Sequence, residues 1–217
     1  MSDPANSSAG GPIPPNRWEL NVTSTSGTSY AECFEDLIER GQDIDGEARL
    51  ADVLAPRRAR ILDAGAGIGR VSAALAVRGH DVTAVEKDPD LVARSRARFP
   101  EVPVVESDIL GLGPAVLEAA GRPTAYDVIV VVGNVMIYLA DETEARTLRT
   151  LAGLLAPEGR MLVGFRPHKG PEHSRDYPVE AFRRHVAEAG LAFENLFGTY
   201  ELRPATDDYV VAVLRPV

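Results

Sequence analysis

Short apolar runs alternate with amphipathic stretches from about residue 60 to the end of the chain. Five consecutive aliphatic residues at 128–132 predict a parallel strand that is buried on both faces. Between such runs, apolar residues recur at the spacing of an α-helix, as in 71–78 and 142–155. This alternation predicts an α/β fold, in which a doubly wound, mostly parallel sheet is covered by helices on both faces.

The pattern resolves into seven strands and the helices between them. Strands are predicted at 60–64, 81–86, 102–106, 126–132, 160–165, 191–203 and 209–215. Helices are predicted at 71–79, 91–99, 142–155 and 179–190, with one helical turn near 116–120. The last two strands form a hairpin around residues 205–208, so the final strand is expected to be antiparallel.

The first 56 residues do not follow this alternation. Residues 1–16 are rich in Ser, Gly, Pro and Asn and hold few large apolar groups, so we expect a disordered tail. Residues 17–56 predict an N-terminal helical cap, with Phe34, Leu37 and Ile38 at helical spacing in 30–40 and a second short helix in 44–54. The remaining domain is predicted to span 57–217.

Composition and charge reduce the number of possible functions. A net charge of −9 and a pI near 5.0 argue against a protein that grips a nucleic-acid backbone. Cys33 is the only cysteine, so neither an internal disulfide nor a thiolate metal site is expected. No signal peptide or membrane span is recognisable. We therefore expect a cytoplasmic monomer or homodimer that acts on a small molecule, without metal, nucleic acid or membrane as a partner.

The most informative stretch is Arg60–Arg70, in which Gly65, Gly67 and Gly69 lie between a strand and a helix. Such a turn lets a ligand lie against bare backbone, and we expect its free N–H groups to point outward. Dinucleotide-binding turns place a small residue where this chain has Arg70, which disfavours a nicotinamide-dependent oxidoreductase.

The glycine spacing, with Asp63 two positions before the first glycine, resembles the first motif of class I S-adenosylmethionine-dependent methyltransferases. Ala66 stands where many members carry Cys. The resemblance covers residues 60–215 in order. It implies a seven-stranded Rossmann-like fold with an antiparallel last strand, and S-adenosylmethionine as co-substrate.

Candidate site residues follow from the ends of the predicted strands. Glu86, at the tip of the second strand, has a carboxylate that can accept hydrogen bonds from both ribose hydroxyls, and the alternative is a helix cap. The resemblance places Asp108 and Ile109 beside adenine, with an N-cap as the alternative for Asp108. It also places Gly133 and Asn134 at the methionine end, although Asn134 could be a turn residue. The predicted cofactor-binding set is Asp63, Gly65, Ala66, Gly67, Glu86, Lys87, Asp108, Ile109, Gly133 and Asn134.

The acceptor is less determined than the cofactor. The segment after the fourth strand is not the Asn-Pro-Pro-Tyr type associated with amino methylation of nucleobases or glutamine. Residues 167–178 are a candidate substrate loop, and no catalytic residue is assigned. The polar groups that a substrate could meet are Asn134, Tyr138, His168 and His173, the two histidines having a solvated-loop alternative. We expect methyl transfer to a small molecule by in-line displacement, or else a non-catalytic S-adenosylmethionine- or S-adenosylhomocysteine-binding protein of the same fold.

Overall fold

The computed structural model describes residues 12–21, 32, 34, 36, 37 and 39–217. Its strands are β1 Arg60–Ala64, β2 Asp81–Glu86, β3 Val104–Glu106, β4 Tyr126–Val131, β5 Leu155–Phe165, β6 Leu191–Phe197 and β7 Val210–Pro216. They form one seven-stranded sheet in the order β3-β2-β1-β4-β5-β7-β6. β1 to β5 are parallel, and β7 runs antiparallel to both β5 and β6. The predicted fold class is confirmed.

Helices cover both faces of this sheet. The named ones are α1 Arg17–Asn21, α2 Gly46–Leu54, α3 Arg70–Val77, α4 Pro89–Arg98, α5 Pro114–Ala119, α6 Val135–Tyr138, α7 Glu144–Ala152 and α8 Val179–Glu188, with a 3-10 helix at Ile109–Gly111. Residues 32, 34, 36, 37 and 39 are also helical, within the helix predicted at 30–40. Across the described ranges, no helix is both long enough and apolar enough to cross a membrane.

The aliphatic run in β4 shows why the central strands have no polar face. Ile129 and Val131 pack on one side with α6, α7 and α8, where Phe165 and Phe182 meet edge to face at 5.1 Å. Val128 and Val130 pack on the other side with α2 and α3. Because side chains alternate across a strand, a strand covered on both faces needs apolar side chains on both.

Most of the predicted boundaries are within two residues of those in the structure, but two regions differ by more, one between α7 and β5 and one at the end of β6. The predicted helix 142–155 ends at Ala152, because Tyr126 N–H donates to Leu154 O at 2.8 Å and β5 begins at the next residue. The predicted strand 191–203 ends at Phe197. There the chain folds back on itself, and Gly198 N–H donates to Arg203 O at 2.9 Å. A Cβ on Gly198 would lie 2.5 Å from Pro204 O, so this fold-back needs glycine.

The N-terminal segment lies against the carboxyl edge of the sheet. Of the predicted tail 1–16, residues 1–11 lie outside the described residues. Residues 12–16 lack regular secondary structure, and Ile13 packs against Gly111. In the predicted cap 17–56, Ala48, Leu50 and Ala51 of α2 belong to the same apolar cluster as Val71 and Leu75 of α3.

Candidate active site

The glycine turn joins β1 to α3 at the carboxyl edge of the sheet. Gly65, Gly67 and Gly69 all have positive φ, at 83°, 58° and 81°. A Cβ on Gly65 would lie 2.6 Å from Val135 Cγ2, at the start of α6. Both the backbone conformation and the lack of space therefore require glycine at this position.

Most of the N–H groups in this turn are not free. Gly65 and Ala66 donate to Val85 O at 2.9 and 3.0 Å, and Gly67 donates to Glu86 Oε2 at 2.8 Å. Gly69 N–H also donates, to Ala66 O at 2.9 Å. The expectation of free, outward-pointing donors is wrong for these residues, because the turn is bonded to the end of the neighbouring strand β2. Its contribution to a site is close approach of backbone and a fixed shape.

Glu86 is the residue that fixes this turn. Its Oε2 accepts from Gly67 N–H, and its Oε1 accepts from Lys87 and Asp88 N–H at 2.8 and 2.9 Å. A carboxylate has about four acceptor positions, so one remains on Oε2. Burial raises the pKa of Glu86, and the three backbone N–H groups work against that rise. Glu86 thus organises the turn and still has one acceptor position for a ligand.

Asp108 and Lys87 form an ion pair beside Glu86. Asp108 Oδ2 is 2.7 Å from Lys87 Nζ, and Asp108 Oδ1 accepts from Leu110 N–H at 2.7 Å. Asp108 therefore has the helix-capping role that was its alternative, here for the 3-10 helix. Burial lowers the pKa of Lys87, but its pairs with Asp108 and Glu19 outweigh that effect, and the net shift is upward.

A cavity of about 400 Å³ lies over these residues. The predicted residues in its wall are Gly65, Gly67, Glu86, Lys87, Asp108, Ile109 and Gly133. Apolar side chains of Val85, Leu91 and Leu110 also line it. The cavity thus combines apolar side chains with carboxylates, among them Glu86 and Asp108, which is the chemistry that a nucleoside requires. We call it the cofactor cavity.

Three predicted residues, Asp63, Ala66 and Asn134, lie outside this wall. Asp63 is buried below the turn, where its Oδ2 accepts from Ser72 Oγ at 2.6 Å. Burial raises the pKa of Asp63 to about 6. Asn134 has φ of 76°, and its Oδ1 accepts from Arg166 N–H at 2.9 Å. Its side chain thus joins the end of β4 to the end of β5.

Residues at two other helices also line the cofactor cavity and were not predicted from the sequence. Trp18 and Glu19 lie in α1, Thr147 lies in α7, and Thr143 is the residue just before α7. Thr147 Oγ1 is buried and has no hydrogen-bond partner in the described part of the chain. No local motif marks these residues, because each reaches the cavity through the packing of its helix.

A second cavity of about 480 Å³ adjoins the first. Gly133 lies in the walls of both cavities, at the end of β4. The other wall residues are Phe34, Asp43, Ile44, Gly46, Glu47, Arg49, Arg70, Asn134, Pro171, Tyr200, Glu201 and Tyr209. Most of them come from α2 and its flanks, from α3, and from the ends of β4, β6 and β7. Phe34 belongs to the helical residues near 32–39, and Pro171 to the loop 167–178. We call this the second cavity.

The second cavity is polar and largely ion-paired. The Arg70 guanidinium pairs with both Glu47 carboxylate oxygens, donates to Ile44 O at 2.6 Å, and lies 4.7 Å from the centre of the Phe34 ring. The hydroxyls of Tyr200 and Tyr209 are 3.2 Å apart. Burial raises both pKa values, that of Tyr209 to about 12, so both phenols are neutral at physiological pH.

The loop 167–178 is held by hydrogen bonds and an ion pair to neighbouring elements. Arg175 N–H donates to Ile137 O at 3.2 Å, its guanidinium pairs with the buried Glu144, and Tyr138 OH donates to Glu172 O at 3.2 Å. His168 and His173 are exposed and lie in neither wall. Pro171 is the loop residue in the wall of the second cavity. Among the residues with described positions, no His, Cys, Asp and Glu cluster has the arrangement of a metal site.

The proteins that this chain resembles are methyltransferases. Residues 61–159 match the family described as "Methyltransferase domain". A TehB-like S-adenosylmethionine-dependent methyltransferase of Corynebacterium glutamicum is 33% identical, with a TM-score of 0.79 over 90% of this chain and 100% of that one. A Burkholderia thailandensis 1,6-didemethyltoxoflavin-N1-methyltransferase, solved with its substrate and S-adenosylhomocysteine, shares the fold at 19% identity, a TM-score of 0.61, and coverage of 89% and 88%.

Curated relatives give the same reaction class. A Bacillus subtilis protein described as "Putative methyltransferase YqeM" is 23% identical over 80% of this chain and 68% of its own length. Ribosomal RNA small subunit methyltransferase A of Chlorobium chlorochromatii is 31% identical, but over 64 residues, which are 30% of this chain and 24% of that protein. The chain thus spans about a quarter of that relative. With its seven-stranded sheet, its glycine turn and its 33% identity to the TehB-like methyltransferase over 90% of its length, the chain belongs to the class I S-adenosylmethionine-dependent methyltransferases.

Proposed function

We propose that this methyltransferase transfers the methyl group of S-adenosylmethionine to a small polar molecule bound in the second cavity. The observation that supports this is the position of Gly133, which borders both cavities at the end of β4. A methyl donor in one cavity and an acceptor in the other would meet at this residue. Transfer by in-line displacement requires such a junction, since the two reactants must approach along one line.

The cofactor cavity fits the nucleoside part of S-adenosylmethionine. Glu86 would accept a ribose hydroxyl at its remaining acceptor position, and Ile109 would pack against the adenine ring. Asp108 would accept from the adenine amino group while it keeps its pair with Lys87. Gly65, Gly67 and Gly133 would allow the methionine part to approach the backbone. Asp63, Ala66 and Asn134 remain predicted members of this set, although none of them lines the cofactor cavity.

The charges of the second cavity favour an acceptor that is not an anion. Its wall holds three carboxylates, of Asp43, Glu47 and Glu201, and two guanidiniums, of Arg49 and Arg70. Each guanidinium is already paired with a carboxylate. S-adenosylmethionine supplies a methyl group on a positive sulfonium, and positive charge passes toward a neutral acceptor as the methyl moves. An acidic wall stabilises that charge, which favours a neutral or cationic acceptor.

Size and charge also favour a small acceptor over RNA. The described cavities have volumes of about 400 and 480 Å³, which is the range of small-molecule sites. The net charge of −9 opposes a phosphate backbone. We further propose that residues 17–56 act as a cap on the 57–217 domain, since α1 borders the cofactor cavity and α2 borders the second one.

The test has a binding part and a turnover part. Calorimetric titration with S-adenosylmethionine and with S-adenosylhomocysteine should give binding of both. S-adenosylhomocysteine formation is then measured with a panel of small amines, alcohols, thiols and carboxylates, and with unmodified ribosomal RNA. We expect turnover with neutral or cationic small molecules. Faster methylation of RNA or of carboxylates than of every other acceptor would refute the proposal, and binding without any turnover would support the non-catalytic alternative.

A further inference from the structure

The roof of the cofactor cavity is made by α1 and the coil before it. We propose that Trp18 is a cofactor-contacting residue and that α1 is a latched roof whose opening sets the rate of cofactor-product release. The wall residues from this segment are Pro14, Asn16, Trp18 and Glu19. The inference rests on the cofactor cavity being the site of S-adenosylmethionine and does not depend on the identity of the acceptor.

The position of α1 is set by contacts with the rest of the domain. A helix of five residues is too short to be stable alone, so tertiary contacts must hold it. Those contacts lie on two sides of the cavity. One side is the β2–α4 connection with Lys87 and Asp88, and the other is the segment from Tyr138 to Asp141.

Trp18 is the central contact. Its Nε1–H donates to Asp88 Oδ2 at 2.7 Å, and its ring meets the Tyr138 ring edge to face at 5.6 Å. Asp88 is itself fixed, because its Oδ1 accepts from Asp90 and Leu91 N–H at the start of α4. The indole is thereby bonded to Asp88, which follows Glu86, the predicted ribose ligand, by two positions in the chain. A bound nucleoside would lie directly beneath it.

Two ion pairs latch the roof. Lys87 Nζ pairs with Glu19 on α1 and with Asp108 below. Arg17 Nη2 is 2.9 and 3.1 Å from the two carboxylate oxygens of Asp141. The side chains in both pairs are partly exposed, so each pair slows opening by only a small factor. The roof is therefore held closed by contacts weak enough to break at every release of product.

The chain provides its own probe, since Trp18 is its single tryptophan. Stopped-flow measurement of intrinsic fluorescence, with S-adenosylhomocysteine as the probe ligand, reports on the roof without a label. We expect saturating ligand to change the emission of Trp18. Calorimetry on the same sample measures binding independently, so a failure of cofactor binding is distinguished from a failure of the roof proposal.

The latch is tested with Asp141→Asn, which reduces the bidentate Arg17 ion pair to at most one neutral-acceptor hydrogen bond and leaves Trp18 and the cavity wall intact. We expect the dissociation rate of S-adenosylhomocysteine to rise about two- to fivefold, the range for one exposed bidentate pair. The matched control is Glu194→Gln. It weakens a similar bidentate pair with Arg160 in the same way, at 2.8 and 3.1 Å, between β5 and β6 and away from both cavities. This control should leave the dissociation rate unchanged.

Two results would overturn the proposal. Calorimetric saturation without any change in Trp18 emission would show that the indole does not contact the cofactor. Equal dissociation rates in the wild type and Asp141→Asn, with both proteins giving the same melting temperature, would show that the Arg17 pair is no latch. Trp18→Phe and Trp18→Ala separate the ring from its hydrogen bond: we expect Phe to retain most of the affinity and Ala to lose about tenfold.

Discussion

The two cavities differ in how they are built, although they meet at one residue. The cofactor cavity is based on backbone turns at strand ends, where the Glu86 carboxylate accepts from three backbone N–H groups. The second cavity is held by contacts between side chains of different elements, such as Arg70 with Glu47 and Tyr200 with Tyr209. The wall of the cofactor cavity is therefore fixed by local backbone geometry, whereas the wall of the second cavity is fixed by contacts between side chains.

This difference has a physical consequence for specificity. Backbone conformation at a glycine turn cannot vary without loss of the fold, so the cofactor cavity suits a ligand shared by a whole family. Side chains in the second cavity can be exchanged while the sheet remains, so that cavity suits a ligand particular to this chain. Substitutions in the two cavities should accordingly differ in how strongly they couple stability to binding.

The largest combined loss of stability and cofactor binding is expected for a substitution at Gly65. In Gly65→Ala, a left-handed backbone position gains a Cβ that would lie 2.6 Å from Val135 Cγ2. We expect the free energy of unfolding to fall by about 3 kcal/mol and cofactor affinity to fall at least about tenfold. Chemical denaturation and calorimetry measure the two effects.

Gly121→Ala is the matched control for that substitution. Gly121 also has positive φ, at 66°, but a Cβ there would meet no atom within 4 Å. The backbone penalty alone should cost about 1–2 kcal/mol and leave cofactor affinity unchanged. Equal losses in both variants would mean that the close approach to α6 has no role in the site.

Glu86→Gln should give the next largest effect. The amide has one acceptor oxygen in place of the carboxylate's two, so buried backbone N–H groups of the turn lose partners. We expect a loss of about 1–3 kcal/mol in stability and about 10- to 100-fold in S-adenosylmethionine affinity. Glu106→Gln, at the exposed tip of the neighbouring strand β3, is the control and should change neither quantity. Normal stability with weak binding would show that Glu86 serves the ligand alone.

The fold could be predicted from the sequence because its signals are periodic and local. The aliphatic run at 128–132 marked the central strand, and the glycine spacing after β1 marked the turn. The two boundary errors arose where tertiary contacts decide the outcome. Leu154 and Leu155 fit a helical pattern, yet Tyr126 pairs with this segment in the sheet. The fold-back at Gly198 depends on the close approach of Pro204.

The candidate site could be predicted only where it follows strand ends. Seven of the ten predicted residues, among them Glu86 and Asp108, lie in the wall of the cofactor cavity. Trp18, Thr147 and Tyr209 could not be predicted as wall residues, because each comes from an element whose position depends on tertiary packing. For His168 and His173, the structure agrees with the solvated-loop alternative given for them. They had suitable chemistry and a suitable place in the chain order, but their side chains face solvent.

A smaller effect, which depends on pH, is expected from Asp63. Its pKa in the folded protein is about 6, above the ordinary 3.8, so the folded state binds more protons than the unfolded state between these values. Stability should therefore fall as pH rises from about 4 to 6, and Asp63→Asn should remove about 2 kcal/mol of that fall. Denaturation midpoints measured across this range provide the test.

Asp127→Asn is the control of opposite sign. Burial raises the pKa of Asp127, but its hydrogen bonds from Arg60 outweigh burial and the net shift is downward. Asp127 therefore adds stability that is lost as pH falls through its lowered folded pKa, and its replacement should weaken the protein at neutral pH. If both variants shifted the pH profile in the same direction, burial would not be the cause of the Asp63 effect.

The smallest effect, and the one that best separates the cavities, is expected from Tyr209→Phe. The substitution removes a hydroxyl bonded to Tyr200 and should cost about 1 kcal/mol of stability. Because Tyr209 lies in the second cavity alone, S-adenosylmethionine affinity should stay within about twofold while KM for an acceptor found in the panel rises. Tyr177→Phe removes a comparable bond, to His185 Nδ1 at 2.8 Å, outside both walls, and should lower stability without changing KM. A rise in KM in both variants would trace the effect to lost stability, whereas a rise confined to Tyr209→Phe would place the acceptor beside the tyrosine pair.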